Sequence, residues 1–214
     1  MEAGEETARR AALVEAVLPD VPFDGWSRPA VVAAARRLGW DEAELDALFP
    51  GGVREVVAEF SRSADRRMLA ALAERNLAAM KVRERVAAAA WTRLALLEPH
   101  REAVRRALAL LALPQNAPLA LRLLYDTVDA IWYAAGDTAT DFNFYTKRGL
   151  LSGVVLATTL YWLEDKSEGG QATWAFLDRR IGAVLRLGGA IGKARAAAER
   201  FDPGPLLRRM RKSA

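Results

Sequence analysis

One histidine, His100, and no cysteine are available to the 214-residue chain, which removes much of the chemistry that a catalytic protein draws on. Without cysteine there is no thiolate nucleophile, no disulfide framework and no thiolate-bound metal, and a reducing compartment is permitted. His100 follows Pro99 and has no carboxylate pair at ligand spacing, so it is expected on the surface or at a helix end. A two-histidine di-iron site built from paired Glu-x-x-His motifs cannot be assembled from one histidine. Ser152, in Leu151-Ser152-Gly153, has no histidine base near it in sequence and is expected to be a small packing residue. No Gly-x-Gly-x-x-Gly or phosphate-loop pattern occurs. Asp126, Asp129, Asp137 and Asp141 lie close enough in sequence to suggest a cation, but helix capping and exposed faces account for such acids more simply. These residues point away from an enzyme and imply no cofactor and no metal.

The elements that would position any site are helices. Hydrophobic residues make up 52% of the chain, Ala, Leu and Arg recur throughout, and Pro and Gly gather at a few breaks. A first helix fits Ala3 to Leu18, stopped by Pro19 and Pro22. Ser27 is placed as an N-cap, with Pro29 in the first turn of a helix reaching Gly39. A short helix fits Asp41 to Phe49. After Pro50-Gly51-Gly52, a long amphipathic segment runs from Val53 to about Met80, with Val56, Val57, Phe60, Ala64 and Met68 on related faces. Further helices fit Val82 to Leu97, Arg101 to Leu113 and Pro118 to Ala135. Thr138 and Asp141 have capping-box spacing and should start a helix ending near Leu163. Past the turn Ser167-Glu168-Gly169-Gly170, Trp174, Leu177, Ile181, Val184 and Leu185 mark one side of another helix, whose end Gly188, Gly189 and Gly192 weaken or pack closely.

Fifteen consecutive residues, Gly149 to Leu163, carry no charge. A bilayer crossing needs about 20, so the run is expected to be a central buried helix. A helix so apolar must be covered on all sides or face a lipid. Val154, Val155, Thr158, Tyr161 and Trp162 are therefore candidate lipid-pocket residues, with Trp132 joining them from the preceding helix; plain core packing explains the same residues equally well.

Three short helices followed by a long one resemble the DNA-binding end of TetR-type regulators, in which the third helix enters the major groove. Here that segment, Asp41 to Phe49, holds four acids and no Lys or Arg. Carboxylates against a phosphate backbone oppose association, so specific DNA binding is not expected. A TetR-type regulator binding DNA and a small hydrophobic ligand stands as the alternative function, since Arg28, Arg36 and Arg37 on the preceding helix could still meet phosphate.

The run Ile131-Trp132-Tyr133-Ala134-Ala135-Gly136-Asp137-Thr138-Ala139-Thr140-Asp141-Phe142-Asn143-Phe144-Tyr145-Thr146-Lys147-Arg148 resembles the signature of the ninth Coq protein family, the lipid-binding accessory proteins of ubiquinone biosynthesis. Thr173 to Ile181 resembles that family's second block, and Gly25-Trp26 extends a weaker likeness into the N-terminal helices. The resemblance implies an all-α, TetR-like helical bundle that has lost DNA recognition, a hydrophobic pocket for an isoprenoid quinone intermediate or phospholipid, a homodimer, and partnership with the di-iron demethoxyubiquinone hydroxylase. It implies no catalysis by the chain itself. Contact with the hydroxylase carries over to Trp174 and, on the same helix, to Phe176, Leu177 and Ile181. The expected organisation is a helix-turn-helix-like part with its connecting helix over 1–80, a lipid-binding and dimerisation part over 81–200, and a tail over 201–214.

In that tail, Pro203-Gly204-Pro205 breaks the helix, and Leu206, Leu207, Arg208, Arg209, Met210, Arg211 and Lys212 form a short basic amphipathic unit expected to touch a membrane. It holds the whole net charge of +4, the rest of the chain balancing at zero. The acidic opening, Met1 to Arg10, has neither secretory nor transit-peptide character, which suggests a cytoplasmic protein peripheral to the inner membrane of a bacterium. Each cation near an anionic leaflet contributes about 1 kcal/mol. Deleting Pro205 to Ala214 is therefore expected to weaken sedimentation with anionic vesicles at low salt while leaving the core folded; equal binding by full-length and truncated protein would place the membrane contact elsewhere.

Overall fold

The computed structural model describes residues 2–136 and 142–200, and every described element is helical. The Thr138/Asp141 capping box and the tail from Leu206 to Lys212 lie outside the described residues. The helices are α1 (Glu2–Val17), α2 (Val21–Asp24), α3 (Arg28–Arg37), α4 (Glu42–Leu48), α5 (Val53–Ala73), α6 (Val82–Leu97), α7 (Arg101–Leu111), α8 (Ala117–Ala134), α9 (Phe142–Glu164) and α10 (Gln171–Arg200).

Local chemistry sets most of these boundaries. The Ser27 hydroxyl accepts from the Ala30 amide at 3.4 Å with Pro29 in the first turn, so α3 starts where its cap and proline agree. At α4 a full capping box forms: Asp41 accepts from the Glu44 amide at 2.8 Å and Glu44 from the Asp41 amide at 3.1 Å. Two sequence expectations are corrected. Pro22 does not end a helix but sits in the first turn of α2, where its missing N–H costs nothing. The long segment from Val53 stops at Ala73 rather than Met80, and a separate turn at Leu77–Ala79 follows the polar stretch Glu74-Arg75-Asn76.

Helix α5 carries the core. Its first half, with Val56, Val57, Phe60 and Ala64, joins α1, α3 and α4 in one hydrophobic cluster; its second half, with Met68 and Leu72, joins α6, α8, α9 and α10 in another. Trp26 is pinned to the first cluster by tilted packing on Phe60 at 5.2 Å and by its indole N–H, which donates to the Ala103 carbonyl at 2.9 Å. Its neighbour Gly25 turns the chain at φ 67°, a left-handed conformation suited to glycine.

The uncharged run Gly149 to Leu163 is not covered all round. Leu151, Val154 and Val155 are buried in the cluster with α8 and α10, Trp162 in the cluster with α5 and α7, and Thr158 and Thr159 are buried beside α6, while Leu156, Leu160 and Tyr161 are exposed. Leu156, Leu160 and Tyr161 mark the side of α9 that its neighbours leave open. Among the described residues no single helix is long and apolar enough to cross a membrane.

Asp165 orders the α9–α10 junction. Its carboxylate accepts from the Ser167 amide at 2.8 Å, the Thr173 amide at 2.8 Å and the Thr173 hydroxyl at 2.5 Å. The Thr173 hydroxyl above all, with the amides behind it, holds the Asp165 pKa well below its usual value near 3.8. A depressed carboxylate pKa contributes stability that is present above the unfolded value and lost as pH falls toward the folded one. Asp165→Asn is thus expected to destabilise the protein by about 1 kcal/mol at neutral pH and to flatten the fall in stability below about pH 4; melting curves across pH check both.

Candidate functional site

An apolar opening forms where α5, α6, α7, α8 and α9 meet. Small and branched side chains at the crossing, Val57, Val104, Ala107, Ala120 and Val155, leave a cavity of about 220 Å³ between larger neighbours such as Phe60, Leu97 and Leu124. Leu121 and Leu156, both on the rim, are 69% and 41% exposed, so the cavity opens to the surface between α8 and α9.

One end of this apolar space is polar. Arg93, on α6, donates from Nε to Asp65 at 2.6 Å and from Nη2 to the Ser61 hydroxyl at 3.0 Å. The Thr127 hydroxyl, from α8, donates to both Asp65 oxygens at 3.0 and 3.1 Å. Asp65 is buried and the Arg93 side chain is only 11% exposed. A buried carboxylate needs this set of donors, because an unmatched charge in an apolar interior is strongly destabilising.

The residues expected from sequence to line a pocket fall in different places. Val155 lines the cavity. Thr158 lies just beyond it, facing a void of about 10 Å³ that it shares with Arg93 and Val155. Trp132, Val154 and Trp162 are buried, Trp132 and Val154 in the core around α8 and α10 and Trp162 in the core around α5 and α7. Trp162 also donates its indole N–H to Glu98 at 2.8 Å, with Arg101 over its ring at 4.8 Å. Tyr161 stands outside, stacked on Phe176 of α10 with ring centres 4.6 Å apart and planes 7° from parallel.

On α10, Leu177 and Ile181 point inward, 0% and 1% exposed, so of the expected contact residues it is Trp174 and Phe176 that reach the surface. Trp174 is 41% exposed and rests edge-on against Trp91 of α6 at 5.4 Å. Gly170, at φ 68°, lets the Trp91 ring come so near that an added Cβ would meet it at 2.8 Å. Sequence reasoning passed over Arg93, Asp65, Ser61, Thr127 and Trp91, which belong to helices distant in sequence; an Asp and an Arg on otherwise apolar helix faces were the available signal.

Other candidates resolve into structure. Asp129 accepts from Arg148 at 2.7 Å, and Asp126 lies 4.0 Å from Arg62; Asp137 and Asp141 are outside the described residues. The Ser152 hydroxyl donates to the Arg148 carbonyl one turn back at 2.8 Å. Among the described residues no group of three His, Asp or Glu side chains could hold a metal ion. Of the α3 cations, Arg28 pairs with Asp46 at 2.5 Å and Glu42 at 3.6 Å, Arg36 pairs with Glu42 at 3.1 Å, and Arg37 pairs with Asp20 at 2.6 Å.

Comparison with known proteins adds to this geometry. The COQ9 family model matches residues 117–188, which run from the start of α8 into α10. The mitochondrial ubiquinone biosynthesis protein COQ9-B of Xenopus laevis is 31% identical over 199 residues, covering 90% of this chain and 68% of that protein. The mitochondrial COQ9 proteins of Rattus norvegicus and Homo sapiens are 33% and 31% identical over 199 residues, and the chain spans 64% and 62% of their lengths. Among solved structures, a TetR transcriptional regulator from Nitrosomonas europaea superposes with a TM-score of 0.67 at 22% identity, covering 83% of this chain and 98% of the regulator, a likeness of fold.

Proposed function

Because the chain belongs to the COQ9 family, we propose that it serves ubiquinone biosynthesis as a non-catalytic, lipid-binding accessory protein. In this reading it holds an isoprenoid quinone intermediate and presents it to the di-iron demethoxyubiquinone hydroxylase at a membrane surface, acting as a homodimer. The observation that carries the proposal is the apolar cavity opening between α8 and α9, which is suited to a hydrocarbon-bearing ligand. Its rim residues Leu121 and Leu156 continue into exposed Leu160 and Tyr161 along α9, a greasy path for a chain longer than the cavity. The location at an inner membrane rests on the basic tail and on the lipid substrate; the relatives are mitochondrial by name.

The alternative of a DNA-binding regulator draws support from the fold alone. Against it stands the α3–α4 pairing, in which Arg28 and Arg36 are already matched by Asp46 and Glu42, which lowers their attraction for phosphate.

Organic extraction of the purified protein followed by mass spectrometry tests lipid binding directly. Wild-type protein is expected to release isoprenoid quinone or phospholipid. Ala120→Trp, placed on the cavity wall where the native residue is half-buried, should release much less while melting within a few degrees of wild type. Equal lipid in both would remove the cavity from the proposal, and none in wild type would end it.

The partner role is tested at Trp174. A half-exposed interface tryptophan commonly contributes on the order of 2 kcal/mol to binding. Trp174→Ala should therefore reduce co-purification with the hydroxylase and raise the demethoxy intermediate in cells, with a small change in melting. Loss of about 3 to 5 kcal/mol of stability would instead mark Trp174 as a core residue.

A further inference from the structure

We propose that the polar end of the cavity selects an uncharged hydrogen-bond acceptor, the carbonyl of a quinone ring, over a carboxylate or phosphate, because Asp65 already neutralises the one guanidinium there. The inference rests on the lipid-binding reading above and concerns which head group that site accepts.

Two features meet at this end, and a third lies just beyond it. Arg93 spends Nε on Asp65 and Nη2 on Ser61, and its Nη1 makes no hydrogen bond among the described residues. Ser61, also on the cavity wall, uses its oxygen to accept from Arg93 and so retains its own proton for a further acceptor. Thr158, 1% exposed and beside Arg93 in the adjoining small void, has a hydroxyl with no hydrogen-bond partner. A carbonyl seated here would receive donors that are otherwise unspent in a low-dielectric space, where unmet polar groups are most costly.

Charge decides what kind of acceptor is taken. A lone buried guanidinium would favour a carboxylate or phosphate, with which it forms strong, often forked pairs. Asp65 stands behind Arg93 at 2.6 Å, outside the cavity wall, and is held there by both contacts from Thr127. The pair is close to neutral, so a second anion entering the cavity would meet Asp65 through little screening and would have shed its own water. A neutral carbonyl meets the same donors without either penalty. The apolar walls run to the mouth at Leu121 and Leu156, where a hydrocarbon tail can leave.

The experiment compares two soluble probes, a benzoquinone carrying one isoprene unit and decanoate, by calorimetric titration against full-length wild type, Asp65→Asn and Ser61→Ala. Wild type is expected to bind the quinone and to discriminate against decanoate. Asp65→Asn keeps an oxygen for Arg93 and Thr127 but removes the charge, so the preference for quinone over decanoate should shrink about tenfold or more. Ser61→Ala, a conservative change at the wall, should weaken quinone binding several-fold with little change in melting, and it decides the matter if Asp65→Asn does not fold. An unchanged preference in folded Asp65→Asn, or wild type binding decanoate as well as quinone, overturns the inference while leaving lipid binding intact. Failure of wild type to bind either probe, with no lipid recovered on extraction, overturns the lipid-binding reading itself.

Discussion

Two buried carboxylates on one helix constrain the whole arrangement. Glu59 and Asp65 lie on the inward side of α5, 4% and 7% exposed, among Val56, Phe60, Ala64 and Met68. Neither can be left unmatched, because removing one partner of a buried pair costs several kcal/mol. Glu59 is met by Arg10 from α1 at 3.5 Å and by Arg66 from its own helix. Asp65 is met by Arg93 from α6 and Thr127 from α8. Hydrophobic burial drives these helices together without specifying direction, and the two acids then permit few ways of placing α1, α6 and α8 around α5. The cavity lies beside the second of these anchors, so the residues that order the bundle also supply the polar end of its apolar space.

The charges on the N-terminal helices bear on what their surface can attract. The likeness of fold to a TetR regulator extends over most of the chain. The outward charges nevertheless satisfy one another: Arg28 and Arg36 are turned to Glu42 and Asp46, and Arg37 reaches Asp20 and the Ala16 carbonyl. Such exposed pairs add little stability. Their consequence is electrostatic, since a cation paired within the protein attracts a phosphate less.

At the other end, aromatic residues organise the α9–α10 surface. Asp165 ties the junction to Thr173, Gly170 admits Trp91 against the turn, and Trp91 supports Trp174 from behind. Phe176 is held between Tyr161 and the Arg180 guanidinium, which lies 4.9 Å from its ring centre. A tryptophan braced on a ring and presented at the surface suits an interface, because little conformational freedom remains to be lost on binding.

What the sequence by itself determined was local. Ser27, Asp41 with Glu44, and the Gly and Pro breaks placed the helix ends, because caps and turns are made by residues within a few positions of each other. The blocks around Trp132 and Trp174 marked the family, whose model spans both. The absence of thiols and the single histidine limited the chemistry before any fold was known. Only the tertiary structure decided which side each apolar residue faced and what it met there. The run from Gly149 to Leu163 carries no charge, yet packing against several helices buries Val154, Thr158 and Trp162 and leaves Leu156, Leu160 and Tyr161 outside. Leu177 and Ile181 share the block and nearly the face of Trp174, yet they are buried while Trp174, closer to the start of α10, stays exposed. Arg93, Asp65, Ser61 and Thr127 come from three helices, and no short-range pattern couples them. Periodicity reports that a face is buried; the crossing of helices far apart in sequence decides against what, and whether space is left between them.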